Sequence, residues 1–320
     1  MKKLPVIAAM LFPLLVSTAA QADDYPNRPI RMLLPFSAGG GGDTLGRILA
    51  ERFSAELKQP VIVENKPGAG GTIGISMVAR SAPDGYTVTI GGMTTHVLAP
   101  LVYKNLAYDP IESFTSLGAI GNSAIIVVAN NDFPANNIDE LRKLAASKKE
   151  PVQYASWGVG STGHFCGEVM VQKGNVKLQH VPYKGTTQVM TDVIGGHIDI
   201  GFVDIATATP MVTQHKVKAL AVCTKRSPST PDVPSYKEQG IDFDRDLNWA
   251  MYVPTGTPAP IVDRLSSTLE KTLKEPEVID KLLGLGITTN YIPGPTHEKA
   301  NAADTEAWRA VANEAGIKPQ

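Results

Sequence analysis

The sequence is short of the residue types on which several common functions depend. It has two cysteines, Cys166 and Cys223, in 320 residues, and no Cys/His cluster stands out around them. Aromatic residues make up 6%, which supplies no base-stacking platform for nucleic acid. Neither charge sign is in excess: 30 Lys and Arg stand against 31 Asp and Glu, a formal net charge of −1. Such a balance gives no electrostatic footing for nucleic acid or an anionic membrane. Long apolar runs are missing too, since no segment after Val16 approaches the ~20 apolar residues of a membrane span.

The N-terminus reads as a targeting segment. Lys2 and Lys3 form a basic start, Leu4 to Val16 an apolar core, and Ala20-Gln21-Ala22 a small-residue cleavage site. Residues 1–22 are therefore expected to be a signal peptide, with the mature chain beginning near Asp23. An oxidising compartment permits a disulfide. Cys166, however, falls on a predicted helix and Cys223 within the strand VKALAVC. We read them as two buried free thiols.

The stretch that organises the rest is Pro35 to Arg47, PFSAGGGGDTLGR. It follows a short apolar run, Ile30 to Leu34, that reads as a buried strand. It opens a helix in which Leu45, Ile48, Leu49, Phe53 and Leu57 recur at helical spacing. Glycine lets a ligand approach the main chain. The first helical turn leaves amides unpaired at the positive end of the dipole, so an anion can sit there without Lys or Arg. A plain tight βα turn is the alternative.

Strands and helices alternate along the whole chain, which argues for an α/β fold with largely parallel sheets. Further strands are expected at Pro60–Glu64, Tyr86–Ile90, Val152–Ser156, Leu178–Tyr183, Ile198–Val203, Val217–Cys223 and Asn248–Val253. The tail reads as helical throughout. Pro67 to Thr72 and Gly158 to Gly163 are two more glycine turns that open helices. The apolar segment near Phe114 to Asn130 can leave one domain and enter another. We expect residues 23–122 plus 248–320 to form one lobe and residues 123–247 the second. The two crossings make a hinge, and ligands bind outside the carboxyl ends of strands, where the glycine turns fall.

Catalytic motifs nearly match and fail. Gly41 to Arg47 resembles a P-loop, but Arg47 replaces the Lys and Ile48 the Ser or Thr. Gly158-x-Gly160-x-x-Gly163 fits a dinucleotide fingerprint without its later acidic residue. Val159 breaks a nucleophile elbow at Ser161. His164 and Glu168 share a helix face and could join His96 on a metal, though a hydrogen-bonded helix-start histidine is the simpler reading. No carboxylate pair stands out for acid–base work. We expect binding rather than catalysis, with no cofactor and no metal.

Taken together, YPNRPIRMLLPFSAGGGGDTLGR, VIVENKPGAGGTIG, DGYTV, THVLAP, YASWGVGSTGHF, VPYKGT, GGHIDI and WAMYVPTGTPAPIV occur in that order over nearly the whole mature chain. The sequence resembles the Bug-type extracytoplasmic solute receptors of tripartite tricarboxylate transporters. The resemblance implies a type II periplasmic binding-protein fold, two α/β lobes closing on a central ligand cleft. It implies a small organic carboxylate ligand (a di- or tricarboxylate, or an aromatic acid), a membrane permease as partner, and a periplasmic location; we expect a monomer. A ligand-sensing partner of a membrane sensor kinase is the other reading. Carried over residue by residue, Phe36, Ser37, Ala38, Gly39 and Gly40 would line the first turn, with Asp43 starting the helix. Thr94, Thr95 and His96 would close one side. Ser161, Thr162 and His164 would hydrogen-bond the ligand from a facing turn, with Tyr183 to Gly185 and Asp204 at the border. Asp43 can equally be a helix cap and Tyr183 a core residue. The four consecutive glycines exceed the family's usual two. Trp157, where small residues are usual, either packs or stacks on an aromatic ligand.

Overall fold

In the computed structural model, residues 25–245, 247–314 and 316–319 are described; the signal peptide expected at 1–22 lies outside the described residues. The chain begins with β1 (Ile30–Leu34), α1 (Gly41–Leu57), β2 (Val61–Asn65), α2 (Thr72–Ala79) and β3 (Thr87–Gly92). A π-helical turn (Met93–Leu98) and α3 (Ala99–Val102) lead to β4 (Phe114–Ser123). The second lobe holds β5 (Ile125–Ala129), α4 (Ile138–Ser147), β6 (Val152–Ser156), α5 (Thr162–Gln172), β7 (Leu178–Pro182), α6 (Thr186–Ile194), β8 (Ile200–Asp204), α7 (Ile205–Thr213) and β9 (Lys218–Val222). The chain then returns through β10 (Leu247–Pro254), α8 (Ala259–Leu273), α9 (Pro276–Gly284), β11 (Thr288–Pro293) and α10 (Gly294–Glu314).

Two sheets result, one of order β11-β4-β10-β3-β1-β2 and one of order β7-β6-β8-β5-β9. Both are mixed, where largely parallel sheets were expected. β1 runs parallel to β2 and β3, and β6 parallel to β7 and β8. The strands that bring the chain in from the other lobe, β5 and β10, run against their neighbours. Parallel pairing needs a crossover, usually a helix. β4 passes through Ala124 straight into β5, which lies in the other sheet.

Each lobe folds for ordinary reasons. On α1, Leu45, Leu49, Phe53 and Leu57 are buried, the helical stripe read from the sequence, and they pack with Ile30, Met32 and Leu34 of β1. In the second lobe Val127, Tyr154, Ile200 and Phe202 pack under α5. α10 starts against β4 and ends on the second lobe. There Trp308, 1% exposed, meets Phe165 and Phe243 edge-on at 5.8 and 5.5 Å.

The cysteines form a disulfide, Cys166–Cys223, against the expectation of free thiols. α5 crosses the end of β9 and puts the two Cα atoms 6.0 Å apart, inside bonding range. Burial, which had suggested inert thiols, instead shields the bond. The bridge closes 57 residues of the second lobe. The Cys166→Ser/Cys223→Ser variant should lose about 2–4 kcal/mol of unfolding free energy. Denaturant titration checks this; an unchanged midpoint would show that the bridge adds nothing.

Candidate functional site

The lobes enclose a cleft whose empty space, open mouth included, is about 690 Å3. Its floor is built where the chain crosses between lobes: Ser123, Ala124 and Ile125 from one crossing, Leu247, Asn248 and Trp249 from the other. The first lobe adds Pro35, Phe36, Ser37, Gly42 and Gly71, with Gly91 to Thr95. The second adds Trp157, Thr162, Lys184, Gly185, Thr186 and Asp204. Phe36 and Trp249 meet edge-on at 5.1 Å, and with Trp157 they make the walls aromatic.

Threonine hydroxyls join the lobes at two helix starts. The Gly41 amide, first in α1, donates to Thr207 Oγ1 at 2.8 Å. The Thr162 amide, first in α5, donates to Thr94 Oγ1 at 3.2 Å. Thr187 Oγ1 also donates to Ala38 O and shares a 3.2 Å hydrogen bond with Ser37 Oγ. The first turn therefore faces the starts of α6 and α7, and not the Ser161–His164 turn expected opposite it. That second turn faces the Gly70 turn instead: a Cβ on Gly158 would stand 2.7 Å from Gly70 N. Only glycine permits such an approach.

The leading amide at both expected gripping points is thus already capped by the protein. Two other helix-start amides are not. Gly42 in the first turn of α1 and Thr186 at the start of α6 both line the cleft. Their amides have no hydrogen-bond partner among the described residues. Amides in a first helical turn project beyond the helix start and carry partial positive charge.

Of the predicted residues, Phe36, Ser37, Thr94, Thr95, Trp157, Thr162 and Asp204 border the cleft together. The others stand behind it. Ala38 and Gly39 are exposed on the outer rim of the turn. Gly40 caps α1 and donates its amide to Ser37 O. Asp43 accepts from Gly39 N, Arg47 Nε and Asn65 Nδ2, and so braces the turn from within. Burial acts to raise the Asp43 pKa, but these donors outweigh it and hold the carboxyl below its ordinary range. Ser161 caps α5 through His164 N and donates to Gly158 O. His164 Nδ1 accepts from Gly160 N, and Tyr183 OH donates to Asp192. His96 is stacked flat on Tyr252, centroids 3.9 Å apart, with Thr95 Oγ1 2.9 Å from Nδ1.

Asp204 caps α7, accepting from the Thr207 amide and hydroxyl. Burial pushes its carboxyl up, and its threonine donors only partly oppose this. Sequence reasoning missed Ser123, Thr186, Asn248 and Trp249. Their signal was positional: each sits at a strand end or helix start next to a segment already singled out. Among the described residues no group of three or more His, Cys, Asp or Glu is placed to hold a metal, and no helix is long and apolar enough to cross a membrane.

Two α/β lobes joined by crossing strands around one cleft define a solute-binding receptor. The comparisons with known proteins agree. The profile of the family described as tripartite tricarboxylate transporter family receptor matches residues 45–317, and the chain belongs to that family. The solved periplasmic binding protein BugD is 36% identical, with a TM-score of 0.88 over 92% of this chain and 100% of its own. A Rhodopseudomonas palustris protein solved with adipate is 28% identical, TM-score 0.89, over 93% and 100%. MatC from the same organism, solved with malate, is 28% identical, TM-score 0.85, over 90% and 99%.

Three buried histidines, His96, His164 and His297, and the half-buried His180 share one electrostatic property. Burial lowers His96 and His180 to about 3 and His164 and His297 to about 4. Each is neutral when folded, whereas the unfolded chain protonates near pH 6.5. The unfolded state then binds more protons, so stability is full above about pH 6.5 and declines as pH falls toward the folded values. For His96 alone this amounts to about 1.5 kcal/mol between pH 6.5 and 5. His96→Phe, which keeps a ring against Tyr252, should show a shallower loss of Tm over that interval. Parallel pH profiles for the two proteins would contradict the assignment.

Proposed function

We propose that the chain is an exported receptor, freed of residues 1–22 near Ala22, that captures a small organic carboxylate in the periplasm and delivers it to the permease of a tripartite tricarboxylate transporter. The lobes divide at 122/123 and 247/248, and closure about those crossings traps the ligand. One observation carries the reading: of the residues lining the cleft, only Lys184 and Asp204 are ionisable. The rest of the polar lining is main chain, hydroxyl, one amide side chain and indole. A carboxylate would take the free amides of Gly42 and Thr186 and the hydroxyl of Ser37, each charge-assisted bond contributing about 1.5–3 kcal/mol. Lys184, exposed at the mouth, attracts the anion. Burial raises the Asp204 pKa and so weakens its repulsion. The aromatic walls suit an aliphatic chain or an aromatic ring, and the adipate and malate complexes of relatives support the acid class.

Closure depends on a close approach at Gly41. A Cβ there would stand 2.0 Å from Asp204 Oδ1 and 2.6 Å from Ala206 Cβ, both across the cleft. Gly41→Ala therefore blocks closure while leaving α1 a better helix former. Calorimetry with di- and tricarboxylates, amino acids and aromatic acids should find at least one acid that binds the wild type. The same acid should bind Gly41→Ala at least tenfold more weakly, with the melting curve of the free protein retained. Folded wild type that binds none of the panel would overturn the carboxylate reading. Equal binding by Gly41→Ala would overturn closure.

A further inference from the structure

Asp204 is a carboxylate in the wall of the cleft with no cation beside it. It is 6% exposed, and no charged group acts on it. Its partners are neutral. The Thr207 amide donates to Oδ1 at 2.9 Å, and the Thr207 hydroxyl stands 2.9 and 2.8 Å from Oδ1 and Oδ2. The Thr186 hydroxyl bonds the carboxylate as well and lies 3.3 Å from Thr207 Oγ1. A buried carboxylate without a cation favours its protonated form.

The charged groups on the elements packed around Asp204 are engaged elsewhere. On α1, Asp43 takes Gly39 N, Arg47 Nε and Asn65 Nδ2. Lys184, just before α6, is exposed, and Asp192 of α6 accepts from Tyr183 OH. Glu168 of α5 faces His164 and accepts from Tyr154 of β6. β5 and α7 carry no ionisable residue. The proposed acid site, by contrast, flanks Asp204 on both sides. A Cβ on Gly41 would stand 2.0 Å from Oδ1, and Gly42 follows directly; Thr186 adjoins on the other side. An anion on the Gly42 and Thr186 amides therefore lies beside a second negative group. A like charge within about 4–6 Å disfavours ionisation.

We propose that the receptor takes up a proton from solvent together with its acid ligand, and that Asp204 receives it. The proposal rests on the carboxylate reading and specifies how that site tolerates its own carboxylate. The hydrogen bonds around Asp204 survive the change, because hydroxyls both donate and accept. Once protonated, Asp204 donates to Thr207 Oγ1, and Thr207 turns its hydrogen toward Thr186 Oγ1. The Thr207 amide still donates to Oδ1, and Gly41 N still donates to Thr207 Oγ1. Burial already pushes the carboxyl up, so the ligand completes a change that folding begins. A ligand ammonium would balance the same charge, but Gly41 covers Oδ1 and the Thr207 hydroxyl meets Oδ2. A proton needs no such room. The complex then holds more protons than its separate parts, so affinity falls as pH rises.

Calorimetry with malate, glutarate and benzoate, from about pH 5.5 to 8 in buffers of differing ionisation enthalpy, counts the protons. For an acid that binds, the wild type should take up at least about half a proton per ligand within that range, and its affinity should fall at least about fivefold across it. Asp204→Asn keeps an oxygen for the Thr207 amide. It should still bind, with only the uptake that belongs to the ligand itself and a correspondingly flat pH profile. If Asp204→Asn does not fold, difference infrared spectra of the wild type decide. A protonated-carboxyl band, shifted by carbon-13 labelling of the aspartates, should appear on binding; its absence overturns the proposal. Equal uptake by wild type and Asp204→Asn overturns it too and leaves the carboxylate reading standing. So does an amino acid that binds at least tenfold more tightly than its deamino counterpart with no proton uptake. Failure of every acid to bind folded protein overturns both.

Discussion

The arrangement depends on hydroxyls that reach from one lobe to helix starts on the other. Thr207 caps the Gly41 amide and Thr94 caps the Thr162 amide. Each lobe thus completes a helix N-terminus of its neighbour. A neutral hydrogen bond contributes only about 0.5–1.5 kcal/mol net, so such links hold the lobes in register without locking them. That suits a receptor that must open again. It also decides which amides remain for a ligand: the leading ones of α1 and α5 are spent on closure, and those of Gly42 and of Thr186, first in α6, are left beside the cleft.

An anion site made this way needs little formal charge. Helix starts present partial positive charge at fixed positions, and a cleft with aromatic walls strengthens it by excluding water. Asp204 shows the same chemistry used internally. Its carboxylate caps α7 and lies beside the start of α1. On the proposed reading the main chain grips the acid, while Phe36, Trp157 and Trp249 line the walls around what lies behind it.

Much of this was legible in the sequence because the signals were local. The apolar periodicity of α1, the glycine turns and most strand positions follow from spacing and turn chemistry. What was not legible came from pairing across long separations. Cys166 and Cys223 looked like independent buried thiols until α5 was laid across the end of β9. α7 was invisible because TATATP carries β-branched residues and Pro210, and its start is fixed by the Asp204 cap. β11 is a short, half-exposed edge strand without an apolar run. His96, His164 and Ser161 carry the chemistry of contact residues, yet folding turned them inward to brace the turns. Ser123 and Asn248 had only a positional signal, at strand ends beside segments already singled out, and their place on the cleft shows only once both crossings are built.

The central claim is that free peptide nitrogens at two helix starts hold the acid. Amide proton shifts measured by nitrogen-edited NMR, during titration with an acid that calorimetry has shown to bind, test it most directly. The Gly42 and Thr186 amide protons should move downfield and saturate with the calorimetric affinity, as charge-assisted donors do. Saturation of the protein while both protons keep their positions would contradict it.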